Sequence, residues 1–254
     1  MLRAARIQPA ASRRQGFAGV IPAKALFTCR CTLILNMMRT GSPKKISHGR
    51  SDRWDPSTVM LDISTAPGPV DLTAVFGNRR PVEAEIGTGK GTFLLARAAA
   101  RPGLNFLGIE RARPYCLYAA DRIRRSGLSN ARMLCADAAA FFKSSLADRS
   151  LWRIHIYFPD PWPKRKHHRR RLITPAFLDQ LRRTLCLGGQ VIIVTDHFDY
   201  FRQVQRVTLN AAGFARTGFP RMSDRKGELV GTNFERKYIA QGRPFYWVVL
   251  MRCL

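Results

Sequence analysis

Acidic residues are scarce in this chain of 254 residues, where 17 Asp and Glu face 43 Lys and Arg and leave a formal net charge of +26. This excess is larger than solubility requires, and it makes polyanions the expected partners, nucleic acid ahead of an acidic membrane surface. The chain also lacks any apolar run of the roughly 18 residues that a membrane-spanning helix needs. We therefore expect a nucleic-acid partner and no membrane partner.

Paired cysteines are also missing. The six cysteines include no C-x-x-C pair, and Cys29 and Cys31 stand too far from other ligands to form a zinc site. We expect no metal site. The same cysteine usage predicts a reducing compartment, the cytoplasm.

The first 51 residues contain no acid at all, although they hold ten Lys and Arg. We expect residues 1–61 to form a basic extension that is poorly ordered, followed by one α/β domain over residues 62–254. An organellar transit peptide, an RNA-binding arm and a loosely ordered tail all fit this composition. A start codon placed too far upstream fits as well, with Met37 or Met38 as the first residue.

Neither of two common phosphate-binding glycine motifs is present. The glycine-rich turn follows a predicted strand, Val82–Ile86, and carries glycine at positions 87, 89 and 91. A P-loop needs GxxxxGK[ST] and a dinucleotide site needs GxGxxG, so this turn fits neither spacing. The turn alone is weak evidence for any one ligand, and the acids around it carry more information.

Short apolar strands alternate with amphipathic helices beyond residue 62. Predicted strands cover residues 82–86, 105–109, 131–135, 154–158, 191–195 and 246–251. Predicted helices cover residues 92–100, 114–125, 175–185 and 199–212. This alternation is typical of an α/β fold, a parallel sheet with helices on both faces.

Four acids lie at or just beyond the carboxyl ends of the first four predicted strands: Glu85, Glu110, Asp137 and Asp160. In open α/β sheets this edge is where ligands bind. Glu110 is placed to accept from ribose hydroxyls, Asp137 from an adenine amino group, and Glu85 to face a cationic amino-acid group. Such a set repels a pyrophosphate and attracts a sulfonium, which favours S-adenosylmethionine. For each acid taken singly, the alternative is a helix N-cap or a solvated loop residue.

The stretch from Phe158 to Arg171, FPDPWPKRKHHRRR, combines a carboxylate, an aromatic ring and a basic run. Asp160 and Trp162 each precede a proline, so we expect both to be extended and stiff. The combination indicates chemistry on a nucleic-acid base, with Trp162 either stacking on that base or packing the loop onto the sheet. The cations expected to bind the RNA backbone are Lys164, Arg165, Lys166, Arg169, Arg170 and Arg171.

With these motifs the chain resembles the bacterial tRNA (guanine-N7-)-methyltransferase family. The resemblance rests on residues 85–91, 108–110, 137–138, 158–164, 167–171, 194–196 and 232–236. It implies a class I methyltransferase sheet, Rossmann-like and mostly parallel with an antiparallel last strand, over residues 62–254. It also implies methyl transfer from S-adenosylmethionine to N7 of guanine 46 in the tRNA variable loop, by a monomer or homodimer that needs no accessory subunit.

The resemblance assigns roles to individual residues. The cofactor would be bound by Glu85, Gly87, Gly89, Glu110, Asp137 and Asp160, and Asp160 would also serve catalysis. The substrate would be contacted by Lys164, Asp196, Thr232, Asn233, Phe234 and Glu235. From the charges alone, the alternative for Asp196 and Glu235 is pairing with neighbouring arginines.

Three rival functions compete with this one. Amino-methyltransferases for adenine or cytosine carry an Asn/Asp-Pro-Pro-aromatic motif, whereas residues 160–163 read Asp-Pro-Trp-Pro. An RNA-binding module on an inactive fold would have no reason to keep four strand-end acids. A small-molecule methyltransferase would not need the basic run that follows Pro163.

Overall fold

The computed structural model describes residues 19–21, for which only the backbone is considered, together with residues 55–63, 68–223 and 225–254. Most of the predicted extension, residues 1–61, lies outside the described residues. The domain boundary at residue 61 therefore stays a prediction. Val59, which precedes that boundary, is buried, and its carbonyl accepts from the amide of Met133 at 2.9 Å.

Within the described ranges, eight strands form one sheet in the order β1-β8-β6-β5-β2-β3-β4, and β7 pairs with β8. The strands are β1 Gly19–Ile21, β2 Val82–Ile86, β3 Asn105–Ile109, β4 Ala131–Leu134, β5 Leu151–Tyr157, β6 Leu185–Thr195, β7 Phe214–Arg216 and β8 Phe245–Arg252. Strands β2 to β6 pair in parallel, and β8 runs antiparallel to β6. The predicted mostly parallel sheet with an antiparallel last strand is confirmed.

Helices cover both faces of this sheet, as predicted. They are α1 Leu72–Phe76, α2 Thr92–Ala100, α3 Arg113–Arg125, α4 Ala138–Ser144, α5 Pro175–Thr184, α6 Phe198–Leu209 and α7 Asn233–Ala240. Leu94 of α2 and Ile123 of α3 pack with Phe106 in one cluster of buried residues, and Phe141 of α4 and Leu181 of α5 pack with Ile154 in another. Thr174 caps α5 by accepting from the amide of Phe177, which confirms the predicted start of that helix.

The predicted start of β6 is wrong. Strand β6 begins at Leu185, directly after α5, and not at residue 191 after a break at the two glycines. Gly188 and Gly189 lie inside the strand, where a Cβ on Gly189 would stand only 2.8 Å from the carbonyl oxygen of Trp152. Gly189 therefore allows close approach to β5, and neither glycine ends an element.

The order of the strands creates a crevice at the carboxyl edge of the sheet. The chain runs from β2 outward through β3 and β4, then returns to the other side of β2 to form β5 and β6. The connections that follow β2 and β5 therefore leave the sheet in opposite senses. Such a switch point is where open α/β sheets bind ligands.

Candidate functional site

The glycine-rich turn after β2 is held in place by Glu110. The Glu110 carboxylate accepts from the amide of Gly89 at 2.9 Å and from the amide of Ala112 at 2.8 Å. Gly87, Gly89 and Gly91 have φ values of 78°, 54° and 72°, a region that favours glycine. The turn thus presents open backbone beside a carboxylate at the end of β3.

Glu85 is buried at the end of β2, and its Oε2 atom has no hydrogen-bond partner among the described residues. Burial raises the pKa of this carboxyl well above its usual value, and the charge of Glu110 raises it further. A buried carboxylate oxygen without a partner is costly unless a ligand pairs with it. A cationic group such as the ammonium of S-adenosylmethionine satisfies this requirement.

Asp137 caps the next helix. Its Oδ1 atom accepts from the amide of Ala140 at 3.1 Å at the start of α4, so the N-cap interpretation is correct for this acid. Its side chain is half exposed, and Oδ2 lies 4.0 Å from Arg111. The cap leaves Oδ2 accessible, and its contact with an adenine amino group stays a prediction.

Asp160 lies in a loop whose backbone is strained on both sides of it. Phe158 and Trp162 have φ values of 50° and 42°, so the predicted extended conformation of Trp162 is wrong. A residue before proline and outside the extended region costs free energy, and such strain concentrates at functional sites. The Phe158 ring packs 5.4 Å from the rings of Tyr238 and Phe245, and its amide donates to Val194 at 2.7 Å.

The Asp160 carboxylate itself is exposed, and within the described ranges it has neither a hydrogen bond nor an ion pair. Tyr200 and Tyr238 lie near enough for its charge to raise their pKa values, although burial is the larger cause for both. A carboxylate held in a stiff loop and open to solvent can accept hydrogen bonds from an incoming ligand.

Trp162 contacts the basic segment that follows it. The Arg170 guanidinium lies 4.9 Å from the centre of its ring, and the His167 ring lies 5.8 Å away, edge to face. Residues Arg165–Arg170 form a 3-10 helix, which we call the basic helix. These contacts join Trp162 to the basic helix and not to the sheet, so stacking on a base and packing onto the sheet both stay predictions.

The basic helix presents most of the predicted RNA-binding cations to solvent. Exposed side chains are those of Lys164, Arg165, Lys166, Arg169 and Arg170. Arg171 is different, because it is 2% exposed and its guanidinium bonds Pro161, Asp199 and Gln203. The assignment of Arg171 to the RNA backbone is corrected: no phosphate reaches a guanidinium enclosed in this way.

Asp196, at the end of β6, is paired with an arginine. Its Oδ2 atom lies 2.6 Å from Nη1 of Arg243, and the Arg243 guanidinium stacks 4.5 Å from the centre of the Tyr238 ring. The arginine-pairing alternative therefore holds for Asp196. A substrate contact through its other oxygen stays a prediction.

The segment Thr232-Asn233-Phe234-Glu235 starts helix α7. Thr232 accepts from the amide of Glu235 at 3.0 Å and so caps the helix. Asn233 donates to the hydroxyl of Thr92 at 2.8 Å and joins α7 to the start of α2, while the ring of Phe234 is half exposed. Asn233 and Phe234 are thus the exposed members of this segment.

Glu235 is fully buried, and it accepts from the amides of Leu229, Val230 at 3.0 Å and Gly231 at 2.6 Å. Burial raises the pKa of this carboxyl, although the three amides act in the opposite direction. The expected direct contact with substrate is corrected, because the carboxylate is used to hold the backbone of residues 229–231.

The structure contains a buried polar network beneath the site that the sequence analysis did not predict. Glu83 of β2 lies 2.9 Å from His155 and 3.1 Å from Arg153 of β5, and His155 lies 2.7 Å from the hydroxyl of Tyr157. Glu83 is two residues before Glu85, so both side chains leave β2 on the same face. The alternation in Val-Glu-Ala-Glu-Ile was the signal that a second acid accompanies Glu85.

In the described part of the chain, every helix is too short or too polar to span a bilayer. No group of three or more His, Cys, Asp or Glu side chains in those ranges is arranged to hold a metal ion.

Comparison with known proteins defines the family. A family model described as a putative methyltransferase matches residues 79–248. The tRNA (guanine-N(7)-)-methyltransferase of Alcanivorax borkumensis is 36% identical over 194 residues, which are 76% of this chain and 81% of that relative. The chain belongs to the tRNA (guanine-N(7)-)-methyltransferase family.

A second relative agrees with this membership, and a solved structure shares the fold. The enzyme of that name from Nitrosococcus oceani is 42% identical over 61% of this chain, which spans 64% of that relative and so less than two thirds of its length. The crystal structure of an antibiotic-related methyltransferase is 20% identical, with a TM-score of 0.53 over 70% of this chain and 91% of that one. This likeness shows the fold.

Family membership and the geometry of the site agree on the class of enzyme. The match covers the predicted site residues from Glu85 to Glu235. The unpartnered oxygen of Glu85, the carboxylate of Glu110 and the open glycine turn fit S-adenosylmethionine as the methyl donor. The predicted methyltransferase with this cofactor is confirmed.

Proposed function

We propose that this protein methylates N7 of a guanine in tRNA, with guanosine 46 of the variable loop as the target. The observation that carries the proposal is the crevice between β2 and β5, where the buried Glu85 and the exposed Asp160 leave adjacent strands. One acid is suited to a cationic methyl donor, and the other is open to a base. Guanosine 46 is the target that the family resemblance implies.

Three acids would hold the cofactor, which supplies an electrophilic methyl group on sulfur. Glu110 accepts hydrogen bonds from the ribose hydroxyls through the lone pairs that Gly89 and Ala112 leave unused. Asp137 accepts from the adenine amino group through Oδ2, and Glu85 pairs with the ammonium. The residues of the chain thus orient the donor toward the loop that contains Asp160.

Guanine N7 carries a lone pair and no proton, so the enzyme needs no strong base. The remaining task is to hold N7, the methyl carbon and sulfur in line and close together. The Asp160 carboxylate is exposed and so is accessible to a base. It accepts hydrogen bonds from guanine N1–H and the exocyclic amine. Its negative charge also offsets the positive charge that develops on the ring.

The basic helix would bind the tRNA backbone beside this base. We call residues 158–163, which contain Asp160, the catalytic loop. Directly after it, the exposed cations are Lys164, Arg165, Lys166, Arg169 and Arg170. Their charges attract phosphates without reading sequence. Asp196, Asn233 and Phe234 complete the substrate side, and Phe234 offers a ring for stacking. A tRNA substrate also supports the cytoplasm as the compartment.

The test is methylation of bulk tRNA with labelled S-adenosylmethionine, followed by borohydride and aniline treatment, which cuts RNA at N7-methylguanosine. We expect one cut, mapped to position 46. A transcript with adenosine in place of guanosine 46 is the matched control and should remain uncut. Label in adenosine or cytidine would favour an amino-methyltransferase, and no label at all would favour an RNA-binding module.

A further inference from the structure

Arg171 joins the catalytic loop to helix α6. Its Nε atom donates to the carbonyl of Pro161 at 2.7 Å, Nη1 donates to Oε1 of Gln203 at 2.8 Å, and Nη2 lies 2.6 Å from Oδ2 of Asp199. The plane of the guanidinium also lies 5.0 Å from the centre of the Tyr200 ring. Each of the three guanidinium nitrogens therefore makes a hydrogen bond inside the protein.

Two of the α6 residues around the guanidinium, Gln203 and Tyr200, are themselves bonded to another segment. Gln203 donates to the carbonyl of Ile173 at 3.2 Å, and the hydroxyl of Tyr200 accepts from the amide of Ile173 at 3.1 Å. Both contacts reach the segment that follows Arg171. These contacts limit the motion of the guanidinium and of the Pro161 carbonyl that it binds.

Pro161 directly follows Asp160. A contact that holds the Pro161 carbonyl therefore restricts the backbone that carries the Asp160 carboxylate. The loop is strained at Phe158 and Trp162, whose φ values are 50° and 42°, and strained backbone persists only where surrounding contacts hold it. The amide of Phe158 is bonded to Val194 on one side of Asp160. Arg171 supplies the contact on the other side.

We propose that Arg171 is a positioning residue, whose guanidinium anchors the carbonyl of Pro161 to α6 and holds the Asp160 carboxylate in place for the base. The proposal rests on the proposed function. If Arg171 acts in this way, its replacement should lower kcat by displacing Asp160 and should leave the affinity for tRNA unchanged. A lysine cannot replace it, because an ammonium lacks the planar fork that bonds three acceptors at once.

The experiment compares Arg171→Lys with wild type in steady-state methylation of tRNA. Since a displacement of about 1 Å can cost about 10²-fold in rate, we expect kcat to fall about 10²-fold. The KM for tRNA, its salt dependence and the affinity for S-adenosylmethionine should stay within about twofold of wild type. A wild-type kcat would overturn the proposal.

Arg169→Gln is the matched control, because Arg169 is an exposed cation two residues away. Its effect should fall on the KM for tRNA and on the salt slope. If Arg171→Lys shows this same signature, Arg171 is a phosphate contact and the proposal is wrong.

Asp199→Asn decides the matter if Arg171→Lys fails to fold. The Asp199 side chain is 56% exposed, so its loss should leave the fold intact while it weakens one anchor of Arg171. We expect kcat to fall about tenfold, again with the KM for tRNA unchanged; an unchanged kcat would contradict the proposal. Failure of the proposed function would show differently, as wild-type protein that forms no N7-methylguanosine.

Discussion

Nε2 of His155 lies 2.9 Å from Oε2 of Glu83, and this contact joins β5 to β2 directly beneath the candidate site. Arg153 and Arg97 lie 3.1 Å and 3.3 Å from the same carboxylate. Burial raises the pKa of Glu83, but the hydrogen bond and the charges of these partners outweigh it and lower the pKa to about 2. The strands that frame the crevice are therefore held by a charged group inside the sheet.

Glu83→Gln should destabilise the protein by about 3–5 kcal/mol at neutral pH, because it leaves the buried Arg97 and the partly buried Arg153 without their counter-charge. The folded pKa of about 2 lies below the usual 4.5. The stabilisation is therefore present above pH 4.5 and is lost as the pH falls toward 2. Urea unfolding from neutral to acid pH measures it, and the difference between variant and wild type should shrink as the pH falls.

Asp148→Asn is the control for that measurement. Asp148 also pairs with an arginine, but its side chain is 69% exposed, so its removal should cost at most about 1 kcal/mol. Equal losses in the two variants would show that the buried network does not hold β2 to β5.

Glu85→Gln should weaken binding of S-adenosylmethionine about 10- to 100-fold, because a charged hydrogen bond is lost. Burial raises the pKa of Glu85, and a cationic ligand binds the ionised form. Wild-type affinity should therefore rise with pH while this carboxyl loses its proton, and the variant should lose that component. Calorimetry at several pH values tests both, and identical pH profiles would contradict a contact between Glu85 and the ammonium.

Asp160→Asn should reduce kcat by about 10²-fold or more and leave S-adenosylmethionine binding largely intact. The reason is that Asp160 contacts the base in the proposed function, and an amide neither accepts as strongly nor offsets positive charge. Single-turnover methylation together with cofactor titration separates the two effects. Near-normal turnover would refute a catalytic role for this residue.

Replacing one exposed cation of the basic helix, for example Lys166→Gln, should reduce the slope of log affinity against log salt by about 0.7–0.9. The loss should be similar for different tRNAs, since phosphate contacts carry no sequence information. Binding titrations at several salt concentrations provide the slope. A change restricted to certain tRNAs would indicate base contacts instead.

Periodicity located the strands around the site well. The predicted bounds of β2 and β3 agree with the structure, and the predicted acids lie at or just beyond the ends of β2, β3, β4 and β5 as expected. Helices α1, α4 and α7 were not predicted. Alanine-rich α4 and the short α7 carry little periodic signal, and α7 depends on Glu235 binding three amides of the preceding loop.

Side-chain roles were harder to predict than positions. Arg171 belongs to the same basic run as Arg169 and Arg170. Only its hydrogen bonds to Gln203 and Asp199 on α6 distinguish it from them. Glu235 reads as a polar motif residue, yet it lies in the interior. In both cases the partners are distant in sequence or belong to backbone, which a local pattern does not reveal.

The sequence by itself determined the fold class, the order of strands and acids, and the kind of ligand, because these follow from local alternation and from the charge of residues at strand ends. Only the tertiary structure decided which of those charges are left available to a ligand. Burial, hydrogen-bond partners and backbone strain depend on how elements pack. They leave an oxygen of Glu85 without a partner, enclose Arg171 and Glu235, and hold Asp160 open to solvent.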